Sequence, residues 1–130
     1  MRKLLAILTI LVALPMLALE ARAPQVVAIP LKLSKPWYGM SSWYGDHWAG
    51  RKTACGKPFD PQRLTVAHPY LKCGTWVRVM NVRTGHSAFA QVTDRGPYEE
   101  GREMDVSEAV AKRIDLKKYG VETIRIEVVQ

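Results

Sequence analysis

Three stretches of the chain alternate apolar and polar side chains: "TWVRVMNV" at Thr75–Val82, "SAFAQVTD" at Ser87–Asp94 and "TIRIEVV" at Thr123–Val129. A period of two puts every second side chain on one face, so each stretch reads as a strand with one buried side. "RTGH" between the first two is a turn, and "SSWYG" at Ser41–Gly45 reads as another strand. Only "SEAVAKRI", Ser107–Ile114, carries helical signals. Ser107 is placed to cap it, Glu108 falls in its first turn, and Gly120 follows soon after its last residues. Short strands, Gly/Pro turns and one or two small helices within 130 residues predict a single all-β domain closed as a compact barrel.

Ahead of the barrel, "PQVVAIPLKLSKP" at 24–36 holds three prolines and no alternation, which predicts an extended arm or linker and a barrel over 37–130. Further upstream, Arg2 and Lys3 precede an apolar run from Leu4 to Leu19, and "ARA" at Ala21–Ala23 offers a small-x-small cleavage pattern. These are the parts of a secretory signal peptide over residues 1–23. The competing reading is a retained membrane helix, but a span needs about 20 apolar residues and Pro15 would disturb one. Export to a periplasm or an extracellular wall space is therefore expected, with no stable membrane anchor after cleavage. No cysteine lies near residue 20 to carry a lipid.

A net charge of +7 draws such a chain to acidic partners. It has no run of basic residues with interleaved aromatics, so nucleic acid is not an expected partner. Cys55 and Cys73 are an even pair in an exported chain, which favours a disulfide closing a loop of roughly 19 residues, worth about 3 kcal/mol in the chain-entropy model. A metal site using His47, His68 or His86 is the alternative, but no CxxC or HxxxH spacing is present, and no metal or cofactor is expected.

The blocks "SSWYGDHWAGRKTACGKPFDP", "LTVAHPYLKCGTWVRVMNV", "VTDRGPYEEGREMDVSEAVAKRI" and "VETIRIEVV" follow one another from about Ser41 to Val129. Together they resemble the RlpA-like double-psi β-barrel family of exported lytic transglycosylases that act on the bacterial wall. The resemblance implies a six-stranded double-psi barrel, a surface groove that accepts peptidoglycan glycan strands, and kinship with expansins and barwin-like proteins. A monomer is expected.

Glycoside cleavage usually takes two carboxyl groups. A lytic transglycosylase needs less, because the sugar's own C6 hydroxyl attacks the anomeric carbon and one carboxyl can serve as acid and then base. Asp60, Asp94 and Asp105 stand at the motif positions for that work. The structural alternatives are an Asx turn or helix cap for Asp60, an ion pair with Arg95 for Asp94, and a cap on the following helix for Asp105. The resemblance adds His68 to the catalytic set, holding a carboxylate by hydrogen bond and tuning its protonation; a satisfied structural histidine is the other reading. Trp43, Tyr44, Trp48 and Tyr98 offer faces for sugar rings, Thr53 of the "TA-G" block joins the substrate-binding set, and Arg95 and Arg102 could meet carboxylates on muramic acid or peptide stems. Core packing is the alternative for Trp43. Trp76 is assigned to the core, His47 and His86 to the surface, and Glu99, Glu100 and Glu103 to solvated loop charge.

One position departs from the family pattern. Lys57 in "CGKPFD" stands where a family glutamate is expected, and a cation there cannot be the proton donor. Two functions follow: a peptidoglycan lytic transglycosylase cutting the MurNAc–GlcNAc bond, or a non-catalytic, expansin-like module that binds wall glycan with the same groove.

Overall fold

The computed structural model describes residues 23–130; the leader expected over 1–23 lies, but for its last residue, outside the described residues. Six strands close into a barrel: β1 (Trp37–Tyr44), β2 (Thr65–Ala67), β3 (Trp76–Asn81), β4 (Ser87–Asp94), β5 (Arg102–Ser107) and β6 (Glu122–Val128). Around the wall they run β1-β5-β2-β4-β3-β6. β1 pairs β5 in parallel and β2 pairs β4 in parallel, while the other four contacts are antiparallel. This is the six-stranded double-psi barrel that the motif order implies.

Alternation along β3, β4 and β6 sends Val77, Val79, Ala88, Ala90, Val92, Ile124 and Ile126 into the barrel, where they meet Val66, Met104 and Val106. Each of the buried valine, isoleucine and methionine side chains contributes about 1.5–3 kcal/mol relative to exposure. The same alternation turns Trp76 outward with Arg78, leaving it 47% exposed. The expected core position for Trp76 is thus corrected: strand phase outweighs the general tendency of tryptophan to be buried.

A short helix, α1 (Glu108–Arg113), follows β5 directly, and α2 (Leu116–Tyr119) follows it. The Ser107 hydroxyl caps α1 by accepting from Val110 N at 3.3 Å, and it donates to Arg63 C=O at 2.6 Å. At the other end, the buried Asn81 side chain donates to Ile114 C=O at 2.9 Å, tying the helix to β3. Val110, Ala111, Ile114 and Leu116 complete the core.

Along the arm, Val26, Val27 and Ile29 are exposed, whereas Leu33 bridges Val129 and Gln130 N donates to Lys32 C=O at 2.9 Å. The arm's last residues therefore lie along the end of β6.

Candidate active site

Two extra residues shape the open face of the barrel. β5 carries Glu103 between Arg102, opposite Met40, and Met104, opposite Ser41. β4 carries Thr93 between Val92, opposite Val66, and Asp94, opposite Ala67. Such bulges re-aim the side chains beside them. Ala67 is paired with Asp94 on one side and Asp105 on the other, and Asp105 is paired in turn with Ser42. Two aspartates thus sit in one row across the wall, separated by the smallest side chain that keeps a Cβ. With neighbouring strands about 4.8 Å apart, their backbones are roughly 10 Å apart.

That row faces a cavity of about 1060 Å³. Its lining includes Asp94, Asp105, Trp43, Tyr44, Trp48, Arg95, Tyr98 and Arg102 from the expected set, together with Asp46, His47, Arg51, Lys52 and Phe59, which the motif reasoning did not select. Trp48 and Tyr98 are 42% and 83% exposed, so flat faces are open to a ligand there. Trp43 packs against the core and also lines the cavity. His47 lies with its ring centre 5.0 Å from that of Trp48, tilted by 48°, and it lines the groove rather than bare surface.

The environments of the two aspartates differ. Ser42 Oγ donates to Asp105 Oδ1 at 2.7 Å, and Arg102 Nη2 lies 3.4 Å from Oδ2. Burial nonetheless pushes the Asp105 carboxyl above its usual range, and the nearby Glu99 adds to the rise, against the Ser42 hydrogen bond and the Arg102 charge. Asp105 does not cap α1; Ser107 does. Asp94 Oδ1 accepts from Ala54 N at 2.9 Å and from Arg95 N at 2.8 Å, so it holds the 51–59 loop as well as its own turn. Beyond it the chain turns through a cis Gly96-Pro97 bond, with Gly96 at φ 107°, a conformation that side chains with a Cβ rarely adopt. Tyr44 leans on Phe59 at 4.4 Å, and burial together with the charges of Asp94 and Asp105 raises the pKa of its hydroxyl. It is a neutral O–H buried beside two carboxyl groups, and it lacks a hydrogen-bond partner within the protein among the described residues.

Three members of the expected set stand outside the cavity. Asp60 Oδ1 accepts from Gln62 N at 2.9 Å, the Asx turn ahead of Pro61, and Asp60 is exposed. Thr53 is buried, with Oγ1 donating to Lys57 C=O at 2.7 Å, so it is a loop staple. His68 follows β2 directly, its backbone N–H donates to Asp94 C=O at 3.1 Å, and its ring is fully buried outside the cavity lining. Nδ1 accepts from Tyr70 N and Leu71 N, which leaves the proton on Nε2, 3.4 Å from Glu103 Oε1. Burial lowers the pKa of this imidazole, partly offset by Glu103. His68 does face a carboxylate, but that of Glu103, which also accepts from Trp37 Nε1 at 3.1 Å. Glu103 is therefore a fixed strand residue rather than loose loop charge.

The expected disulfide is present: Cys55 and Cys73 are bonded. It joins the 51–59 loop to the segment before β3, beside Arg95 Nη2 at 3.7 Å from Cys73 Sγ. Lys57 is not among the residues that line the cavity.

Comparison with known proteins agrees with this architecture. A family model described as lytic transglycolase matches residues 37–126. The probable endolytic peptidoglycan transglycosylase RlpA of Nostoc sp. is 43% identical over 110 residues, covering 83% of this chain and 29% of the relative. The endolytic peptidoglycan transglycosylase RlpA of Yersinia pestis is 46% identical over 78 residues, 60% of this chain and 22% of the relative. The chain thus spans less than a third of either protein. Among solved structures, the Streptomyces papain inhibitor superposes with a TM-score of 0.62 at 25% identity, over 79% of this chain and 100% of that one. A Clavibacter michiganensis expansin superposes with a TM-score of 0.59 at 23% identity, over 74% of this chain and 51% of that one, and shares the fold. By sequence, strand order and matched length, the chain belongs to the RlpA-like lytic transglycolase family of double-psi β-barrels.

Proposed function

We propose that the chain is an exported peptidoglycan lytic transglycosylase that cleaves the MurNAc–GlcNAc bond and leaves 1,6-anhydromuramyl ends. The observation that carries this reading is the row Asp94–Ala67–Asp105, two carboxyl groups on one floor under an aromatic-lined groove. Asp105, whose burial raises the pKa of its carboxyl, is the group suited to hold a proton and give it to the glycosidic oxygen. As the leaving sugar departs, positive charge develops at the anomeric carbon, and Asp94 supplies the opposing charge. The substrate's C6 hydroxyl then attacks that carbon and passes its proton to Asp105, which restores the acid, so no water is consumed. Trp48 and Tyr98 offer stacking faces for the flanking sugars, and the buried Tyr44 hydroxyl feels the charges of both carboxyl groups.

The 37–126 family match and the RlpA relatives support the same activity. In this reading the leader over 1–23 directs export, the arm over 24–36 spaces the barrel from it, and the folded domain works as a monomer on wall glycan. No helix among the described residues is long and apolar enough to cross a membrane.

The second reading, a wall-binding module without catalysis, is favoured by Lys57 at the family's glutamate position. Against it, Lys57 lies outside the cavity while Asp94 and Asp105 line it. Mass spectrometry of purified peptidoglycan after incubation separates the two. New 1,6-anhydromuramyl products are expected; retention on the polymer with an unchanged product profile would leave the binding module.

A further inference from the structure

Four arginine and lysine side chains line the groove, and they are not equivalent. Arg95 is committed to the protein: Nη1 donates to Leu71 C=O at 2.7 Å and to His68 C=O at 3.4 Å. Arg102 faces Glu99 and Asp105, each at 3.4 Å. Neither can turn to a ligand anion without releasing a partner. Arg51 and Lys52 are exposed, and among the described residues neither has a carboxylate within ion-pair distance. The Arg51 guanidinium rests 5.0 Å from the Trp48 ring centre, an arrangement that holds its plane while leaving N–H donors for an incoming group.

The backbone that displays these two cations is fixed. Phe59 N donates to Arg51 C=O and Gly50 N to Phe59 C=O, both at 2.8 Å, and Lys52 bridges Pro58. The Cys55–Cys73 bond and the Ala54 N hydrogen bond to Asp94 anchor the same loop to the floor of the groove. A ligand therefore meets positive charge already held in place, with little loop ordering to oppose binding.

We propose that Arg51 and Lys52 form a carboxylate subsite of the groove, which makes the domain selective for muramic-acid-containing strands over neutral β-1,4-glucosaminyl chains. The inference rests on the glycan reading above and names what distinguishes the substrate. The carboxylate has two sources: the lactyl group, free where the peptide stem has been removed, and the stem's own carboxylates where it remains. Both are negative, and both project from the muramic acid ring.

The test is a binding titration followed by NMR with three probes: chitotetraose, a stem-free GlcNAc–MurNAc tetrasaccharide, and the same tetrasaccharide carrying stems. The parent and the variant Arg51→Gln/Lys52→Gln are compared at low and high salt. The expected result is that the variant loses affinity for the carboxylate-bearing probes by about 10-fold, the scale of a charge-assisted hydrogen bond, while its chitotetraose affinity stays near that of the parent. High salt should narrow the parent's preference. Loss confined to the stem-free probe assigns the subsite to the lactyl group, and loss confined to the stem-bearing probe assigns it to the stem; either supports the proposal. Equal loss for all three probes, or loss for none, overturns the subsite but leaves the glycan reading standing. A parent that binds no saccharide overturns both.

Discussion

Gly39→Ala is the most informative single change to the scaffold. A Cβ built on Gly39 would lie 2.4 Å from Glu103 Cβ and 2.8 Å from its Cγ, against a normal carbon–carbon separation of about 3.5–4.0 Å. The struck atom is a Cβ, so no rotamer change removes the contact, and β1 or the β5 bulge must shift by about 1 Å. Overpacking of this kind costs about 1–3 kcal/mol. For a domain of under 100 residues each kcal/mol is worth about 4–8 °C, so a mid-range loss of about 2 kcal/mol lowers the Tm by roughly 8–16 °C. Thermal unfolding followed by circular dichroism measures it. The double variant Gly39→Ala/Glu103→Gly supplies the internal control, because it removes the three side-chain atoms that the new methyl would meet. Glu103→Gly alone gives up the Trp37 hydrogen bond and adds backbone entropy, each on the order of 1 kcal/mol. The double variant should be no less stable than Glu103→Gly. If Gly39→Ala unfolds within about 2 °C of the parent, or if the two losses simply add, the contact is not what requires glycine.

Asp105 is expected to set the alkaline limb of the rate–pH profile, since it must begin protonated: activity falls as pH rises through its raised pKa. Arg102→Gln should move that limb to higher pH and Glu99→Gln to lower pH; no movement in either would remove Asp105 from the acid role. Asp94→Asn keeps an oxygen for Ala54 N and Arg95 N, so it should abolish anhydromuramyl product while the folded domain still binds glycan, and full activity would refute the role given to Asp94. His68 has a folded-state pKa below its ordinary 6.5, so the unfolded chain takes up the proton first. Urea stability should be flat above about pH 6.5 and fall as pH drops toward the lower folded value. His68→Gln should lack that slope, and a parent without it would contradict the buried neutral imidazole. Cys55→Ser/Cys73→Ser opens a loop with a sequence separation of 18 and should cost about 3 kcal/mol by denaturant unfolding; a negligible loss would mean that hydrogen bonds alone hold the loop.

The elements that could be read from the sequence are those whose side chains obey a single rule. β3, β4 and β6 alternate cleanly because one face is core and the other solvent, and α1 announces itself through Ser107 and Glu108. Residue type alone puts Trp76 in the core, but Val77 and Val79 on either side of Arg78 fix which face is buried. β2 is three residues long and β5 reads "REMDVS", too short or too charged for alternation to show. Those strands escape the pattern because their outward faces form the floor of the groove, where carboxyl groups replace the ordinary solvent-facing side chains.

The same reasoning explains which site residues the motifs located. Asp94 and Asp105 could be named because each stands in a motif, but that they share a row depends on Ala67 pairing with both, a long-range register that no local stretch encodes. Asp60 and His68 stand in motifs of equal strength but lie outside the cavity lining, one in an Asx turn and the other buried against Glu103. A motif marks a residue that the fold cannot easily exchange; whether it is needed for chemistry or for architecture is decided by the face on which it lands. For His68 that face is the protein interior: Ala67 lines the groove, whereas the His68 ring is buried against Glu103. Its neutral ring then holds the 70–71 backbone, whose Leu71 carbonyl in turn holds Arg95, the residue that follows Asp94. A histidine without contact to the groove thereby helps to fix the turn that carries one of the two carboxyl groups.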